Sequence, residues 1–556
     1  MKKNIKLFIL AVCALSMNSC KEYLTEIEPD TTLLSDFFVS TDAAVQTVTG
    51  CYVPLMWEYG YTYFPEWFIG DIASDDALKG GGSTGDMADA YDFENWRTTN
   101  QNSLLLSIYR ANFQGIGRCN MALQSIEPLE DLDDLWTQEM KDRLLGEVYF
   151  LRGYYYFRLV RIFAGVPLVT KVIDNDSEWG QPRASVNDVF SQILSDFAKA
   201  EELLPVKNSM LFSAKDMGRA TKGAAQAMLL KTNLYMASPY WQSYGLDKSQ
   251  AACYSDAADW GKMVIESDQY SLFPNGQYGN NFTISDENGM ESVFEIQYAN
   301  VGWGDYGNGS HLGFSAGAFT QQLVRSRSGQ IGAGWGFNHP TQNLYDEFEE
   351  GDIRREEAIL VPDEDKMETP AVEYYCGNKY LNNKTGMYRD TLPDGSNGVG
   401  GWGSVLSHAT RGPLNNRQIR YSDVLLMYAE AKLGMNDEET AKEYINLVRD
   451  RVGLGEVGTY GFKVNGTMIS NPTVEQCLRH ERRVELAMEG HRWFDLVRWY
   501  GANGGLKTFM EAYQATETQE AQSHIQTFVA GKHEIFPIPQ EELQLNPTAM
   551  EQNPGY

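Results

Sequence analysis

Hydrophobic positions recur at helical spacing along most of the chain and lose that spacing only in its middle. Segment 185–203 shows it best: Val189, Phe190, Ile193, Leu194, Phe197 and Ala200 follow the i, i+3, i+4 pattern of one buried helix face. Similar patterns predict a helix opening at Asp42-Ala43-Ala44-Val45, with Ser40 or Thr41 as its cap, and helices over 103–126, 139–163, 222–237 and 251–266. In 103–126, Leu106, Tyr109, Phe113, Ile116 and Ala122 share one side. Helices resume from Arg420, at 421–432, 438–451 and 474–500, the last broken near Gly490, where a residue without Cβ lets the chain turn. The tail holds Pro537, Pro539, Pro547 and Pro554, which forbid a long helix and predict an extended strap lying on the helices.

Between about 272 and 418 the periodicity becomes patchy and Gly, Asn, Asp and Tyr crowd the segment. Residues 292–298 alternate well enough for a strand. Glycine-rich stretches occupy 303–310, 328–339 and 394–403, and loops this long in a compact protein are usually functional or disordered. Trp303, Tyr306, Trp335, Phe337 and Trp402 lie in these stretches and argue against disorder. In the first helical part, small residues sit where helices must approach closely, at Ala224, Ala225, Ala227 and Ala237, and again at Ala257 and Ala258 beside Tyr254 and Trp260. This pattern resembles tetratricopeptide helix hairpins, each burying its apolar face against the next. The expected fold class is therefore mostly α, a scaffold of such hairpins carrying a loop-rich, irregular region with few short strands.

The first twenty residues are not part of that fold. Lys2, Lys3 and Lys6 precede an apolar run from Leu7 to Leu15 that is too short to span a bilayer, and Ser16 and Ser19 lead to Cys20. This order reads as a secretory signal peptide over 1–19. Leu15-Ser16-Met17-Asn18-Ser19-Cys20 resembles a bacterial lipobox, which implies that Cys20 is the lipidated first residue of a mature chain covering 20–556. Lys21-Glu22 resembles the surface-export signal of Bacteroidetes lipoproteins. The mature chain is expected to be one domain, with a helical part at 20–271, a variable part at 272–418 and C-terminal helices with the tail at 419–556.

Charge and cysteine usage narrow the function. The 556 residues carry a formal charge of −29, so nucleic acid and anionic membrane surfaces, which need Lys/Arg pairing with phosphate, are poor partners. Aromatic residues make up 12% of the chain, more than a plain helical scaffold needs, and aromatic faces hold flat apolar ligand surfaces such as sugar rings. Cys13 leaves with the signal peptide and Cys20 takes lipid; Cys51, Cys119, Cys253, Cys376 and Cys477 are scattered, without a CxxC pair. Neither a disulfide framework nor a zinc site is expected from them, and no cofactor is implied.

Motifs with chemical meaning fail on context. Gly81-Gly82-Ser83-Thr84-Gly85 matches GxSxG, but that nucleophile needs a strained strand-to-helix elbow, and a glycine-rich loop is expected here. Gly302-Trp303-Gly304-Asp305-Tyr306-Gly307 matches GxGxxG without a following helix to hold a pyrophosphate. The seven histidines form no HExxH. Asp75/Asp76 and Glu349/Glu350 could serve glycoside hydrolysis only if two carboxyls flanked one sugar bond. Asp75 and Asp76 with Asp86 are conceivable calcium ligands but lack EF-hand order. A sugar site instead needs Trp or Tyr faces and amides on loops held by a rigid frame. Two regions qualify: Asn95-Trp96-Arg97 with Asn100, and Trp303, Tyr306 and Trp335 with Asn308 and Asn338 near them.

Four strings in the last third, in this order, resemble the SusD/RagB family of Bacteroidetes: IRYSDVLLMYAEAKL at 419–433, AKEYINLVRDRVGL at 441–454, LRHERRVELAMEGHRWFDLVRW at 478–499 and HEIFPIPQEELQLNPTAMEQNPGY at 533–556. FFVSTDAAVQTVTGCY at 37–52 and LRGYYYFRLVRIFAGVPLVT at 151–170 agree. The string at 478–499 reads as core-building. Glu481, Glu485 and Glu489 lie four apart and need basic partners from elsewhere, and Trp493, Phe494, Leu496, Val497 and Trp499 supply burial. The resemblance implies a SusD-like fold. It implies an outer-membrane, lipid-anchored, non-catalytic protein that passes a bound glycan to a SusC-like TonB-dependent transporter and draws its contacts from the two regions above, where Trp96 alone matches by position; Trp96, Asn100, Trp303, Tyr306 and Trp335 are the expected ligand-binding residues. A lipid-anchored glycoside hydrolase and a repeat-type assembly scaffold without small ligand are the alternatives.

Overall fold

The computed structural model describes residues 38–57, 66–175, 178–209, 211–300, 316–327, 334–361, 378–386, 411–517 and 528–556. Ten helices carry the frame: α1 (Thr41–Tyr52), α2 (Ser103–Ile126), α3 (Gln138–Phe163), α4 (Val186–Leu203), α5 (Lys222–Ala237), α6 (Gln250–Ile265), α7 (Tyr421–Gly434), α8 (Glu438–Asp450), α9 (Val474–Glu485) and α10 (Arg492–Tyr500). Most open on a side-chain cap. Ser40, Asn102, Thr137, Ser185, Thr221, Ser249, Asp437 and Thr473 each accept a first-turn backbone N–H, a contact worth about 1 kcal/mol.

From α2 to α8 each helix packs on the next, with α1 across α2 and α3, and α9 against α7 and α8. The array is continuous in space although the chain leaves it for residues 266–420, between α6 and α7. Interior members are consequently buried on every side, as α5 and α7 show. Small residues permit the approach: Ala224, Ala225 and Ala227 are fully covered, and a Cβ on Gly261 would lie 2.9 Å from the Tyr428 ring. These neighbours in sequence and space are the hairpins expected from the pattern.

The longer strands among the described residues organise what lies outside the array: β1 (Ala77–Gly80), β2 (Ser292–Ile296), β3 (Phe337–Pro340) and β4 (Asn416–Arg420). β2 pairs antiparallel with β4, Ser292 opposite Arg420 and Ile296 opposite Asn416. β4 runs straight into α7 and so returns the chain to the helices. β1 pairs antiparallel with β3, Ala77 opposite Pro340 and Gly80 opposite Phe337. The sequence pattern placed only β2.

The carboxylates of the 478–499 string find their cations. Glu481 meets Arg354 and, at 2.9 Å, Arg449. Glu485 meets Arg451 and, at 2.8 Å, Arg420. Glu489 meets Lys384 and Arg420, each at 2.8 Å. Arg482 pairs with Asp423 at 2.9 Å and Asp495 at 3.1 Å. The side chains of these pairs are buried, so each pair offsets a desolvation cost, and removing one partner alone is expensive. Between α9 and α10 the chain turns through Met488 and Gly490, both at positive φ. Gly70 packs against this turn so closely that a Cβ there would sit 1.9 Å from the Gly490 carbonyl oxygen. The proline-rich tail lies on the helices as a strap: Phe536 N donates to Ile162 O at 2.8 Å, and the Asn553 amide donates to Phe163 O at 3.1 Å.

Candidate functional site

The β1–β3 ladder ties the variable middle to the strand that leads, two elements on, into the early loop at 95–100. β1 leads into the 81–87 loop and the short helix Ala88–Glu94, and β3 follows directly from Trp335. Gly80, Gly81 and Gly336 all have positive φ, which only glycine adopts without strain, and Gly81 N donates to Gly336 O at 2.5 Å. On the far side, 325–327 and 334–336 face each other: Gly334 N donates to Ser326 O and Gly336 N to Arg325 O, both at 2.8 Å. Arg327 bridges the two halves. It lies 3.5 Å from Asp86 and donates to the Trp335 carbonyl at 3.2 Å.

Trp335 is half-buried on this seam, its ring edge-on to Phe319 at 5.1 Å between centroids. Asn100 is half-buried at the end of the early loop, and its carbonyl accepts the Gln540 N–H of the strap at 2.7 Å. Arg97 beside it is exposed and lies over the Tyr91 ring, 5.1 Å from its centroid.

Trp96 requires a correction. It is 6% exposed; its indole N–H donates to Ala73 O at 3.2 Å, and its ring stands edge-on to Phe528 at 5.3 Å. An indole with its one donor satisfied gains by burial, and the surface that covers it comes from residue 528, which no local pattern near residue 96 foretells. It presents no face to a ligand. Asn338 is likewise buried, donating to Asp71 at 2.9 Å. Trp303, Tyr306, Asn308, Trp402, the 302–307 glycine motif, the signal peptide and Cys20 lie outside the described residues. Arg327 was not anticipated, and Asp86 was weighed only as a calcium ligand: the bridge from residue 86 to residue 327 exists only through the fold.

Of the carboxylates weighed for hydrolysis or calcium, Asp75, Asp76 and Glu349 are held by cations of the protein, while Glu350 is exposed. Asp75 pairs with Arg492 at 2.7 Å and Arg483 at 2.9 Å, and Asp76 with Arg483 at 2.8 Å, all buried. Burial alone would raise Asp75, but the two guanidiniums hold it below the usual carboxylate range. Burial, with Asp75 as its neighbour, pushes Asp76 up to about 6 despite Arg483. Glu349 lies 2.8 Å from Arg449 and 3.2 Å from His480; burial opposes its ionisation, yet those hydrogen bonds bring it down to about 2. Beneath the seam, burial pushes Asp71 and Glu94 up to about 7. The Ser83 hydroxyl accepts from Asp86 N at 3.2 Å in a loop, and the next helix opens only at Ala88, so no nucleophile elbow forms. Among the described residues no His, Cys, Asp or Glu cluster could hold a metal ion, and no helix is long and apolar enough to cross a membrane.

A stacked helical array carrying a loop surface with an aromatic side chain, amides and paired ions defines a binding protein scaffold. Comparison with known proteins names its kind. Residues 290–556 match the family described as the SusD family, and residues 22–234 match one described as starch-binding, associating with outer membrane. The chain belongs to the SusD/RagB family. It is 23% identical to SusD-like protein P2 of Formosa agariphila over 85% of this chain and 86% of that one. It is 25% identical to a SusD-like protein of Bacteroides ovatus over 89% and 82%. Among solved structures, a laminarin binding SusD-like protein superposes with TM-score 0.72 at 27% identity, covering 93% of this chain and all of that one.

Proposed function

We propose that this protein is a cell-surface glycan-binding lipoprotein that captures an oligo- or polysaccharide and hands it to a TonB-dependent outer-membrane transporter without cleaving it. The observation that carries the reading is the similarity, over 93% of the chain, to a protein whose name states laminarin binding. The seam supports it chemically. Trp335 offers an indole for the C–H face of a sugar ring, and Asn100, Arg97 and Arg327 offer hydrogen-bonding groups for hydroxyls. Trp303 and Tyr306 complete the proposed set from the same variable segment. The N-terminal pattern supports an anchor of acyl chains on Cys20, placing the protein at the outer membrane. Isothermal titration with a glycan panel that includes laminarin and its oligosaccharides tests binding. Chromatography of the same glycans after incubation tests turnover. Binding with intact glycan is the expected result; no binding across the panel, or cleavage that depends on the protein, would overturn the reading.

A further inference from the structure

We propose that the Lys79 ammonium is a built-in cation around which the 81–87 loop is wound, making Lys79 a positioning residue for the Trp335 surface. Lys79 is 0% exposed, in the middle of β1, where its stem cannot reach solvent. Its Nζ donates to the carbonyl oxygens of Ser83 at 2.8 Å and Asp86 at 2.7 Å. The rings of Tyr91 and Phe337 flank it at 5.4 and 5.5 Å. Carbonyl oxygens closing on one positive centre are the arrangement by which loops wrap hard cations, and aromatic faces add attraction to a desolvated ammonium. Here the centre is covalently part of the chain.

What the loop does follows from its other contacts. With the Ser83 and Asp86 carbonyls turned in to Lys79, Asp86 can direct its carboxylate outward. It accepts the Gly82 N–H at 2.7 Å and faces Arg327 at 3.5 Å. Arg327 in turn donates to the Trp335 carbonyl, and Gly81 N donates to Gly336 O. The backbone N–H of Lys79 itself donates to Glu94 at 2.6 Å, fastening the helix that precedes the Arg97–Asn100 loop. The ammonium thus sets the 81–87 side of the seam, and the backbone N–H of the same residue ties that side to Glu94. The effect on ligand rests on the glycan-binding reading; the effect on the loop does not.

The test uses the full chain and the variants Lys79→Ala and Lys79→Met. Amide hydrogen exchange across 81–87 and 334–340 should accelerate at least about tenfold in both variants, while exchange in α3 to α5 stays unchanged. Laminarin affinity, if the wild type binds it, should fall by a similar factor. Propylammonium supplies the three carbons and the ammonium that alanine lacks, and it should restore protection in Lys79→Ala. It should fail in Lys79→Met, whose stem fills the space. Should Lys79→Ala not fold, Lys79→Met keeps the stem packed and reads the loop alone. Unchanged exchange in both variants, or equal rescue of Lys79→Ala by neutral 1-propanol, would overturn the proposal. A wild type that binds no laminarin leaves the exchange result to decide it.

Discussion

Replacing Arg483 by methionine tests whether charge pairing, and not packing, fastens β1 to the helical frame. One guanidinium reaches Asp75 at 2.9 Å, Asp76 at 2.8 Å and Glu347, tying two distant stretches of chain to α9. Methionine keeps the apolar stem and removes the charge. Asp75 retains Arg492 at 2.7 Å and Glu347 retains His480 at 3.2 Å, but Asp76 is left with Arg492 at only 3.9 Å. Removing one partner from a buried pair typically costs about 3–5 kcal/mol, and the surviving contacts place this case near about 3 kcal/mol at pH 8. The pH dependence carries the electrostatic signature. Asp76 sits at about 6 in the wild type with Arg483 pulling it down, so the variant raises it further. A carboxylate whose folded pKa is raised penalises the fold fully above that pKa, and the penalty fades as acid protonates it. The difference between variant and wild type should therefore shrink from pH 8 to pH 5. Urea unfolding at both pH values measures it, since guanidinium salt would screen the interaction. A loss under about 1 kcal/mol at pH 8, the size of an ordinary surface change, would refute the reasoning. A larger loss that is the same at both pH values would refute it too.

Trp335→Ala should abolish or sharply weaken glycan binding by titration calorimetry with little change in melting temperature. Trp96→Ala should instead destabilise the fold by about 3–5 kcal/mol, read by thermal or urea unfolding, because it empties a buried site. Glu94 is buried and raised to about 7, so its contribution to stability falls as pH rises from its unfolded value near 4.5 through 7. Glu94→Gln should flatten the melting temperature over that interval. Gly70→Ala would place a Cβ 1.9 Å from the Gly490 carbonyl oxygen, and should cost at least about 1–3 kcal/mol by overpacking, measured by urea unfolding.

Much of the frame was legible along the chain because helix burial is a local periodic property. The amphipathic stripe over 185–203 and the cap at Ser40 act through neighbours three or four residues away, and the alanines of α5 and the turn at Gly490 show in residue type alone. The need for cations opposite Glu481, Glu485 and Glu489 was also readable, since three like charges spaced four apart demand them. Which cations answer was settled only by the tertiary structure: Arg354, Lys384 and Arg420 arrive with the inserted segment, and Arg449 and Arg451 come from the end of α8. The same holds at the seam. Local sequence marked Trp96 and Trp335 alike as aromatics in polar surroundings. Their fates differ because Phe528 and the Ala73 carbonyl close over the first, while the second stays half-buried beside Phe319. Exposure is a property of what arrives from elsewhere in the chain. So is a carboxylate's charge: Asp75 and Asp76 are adjacent in sequence, yet the guanidiniums of α9 and α10 hold one down and leave the other raised.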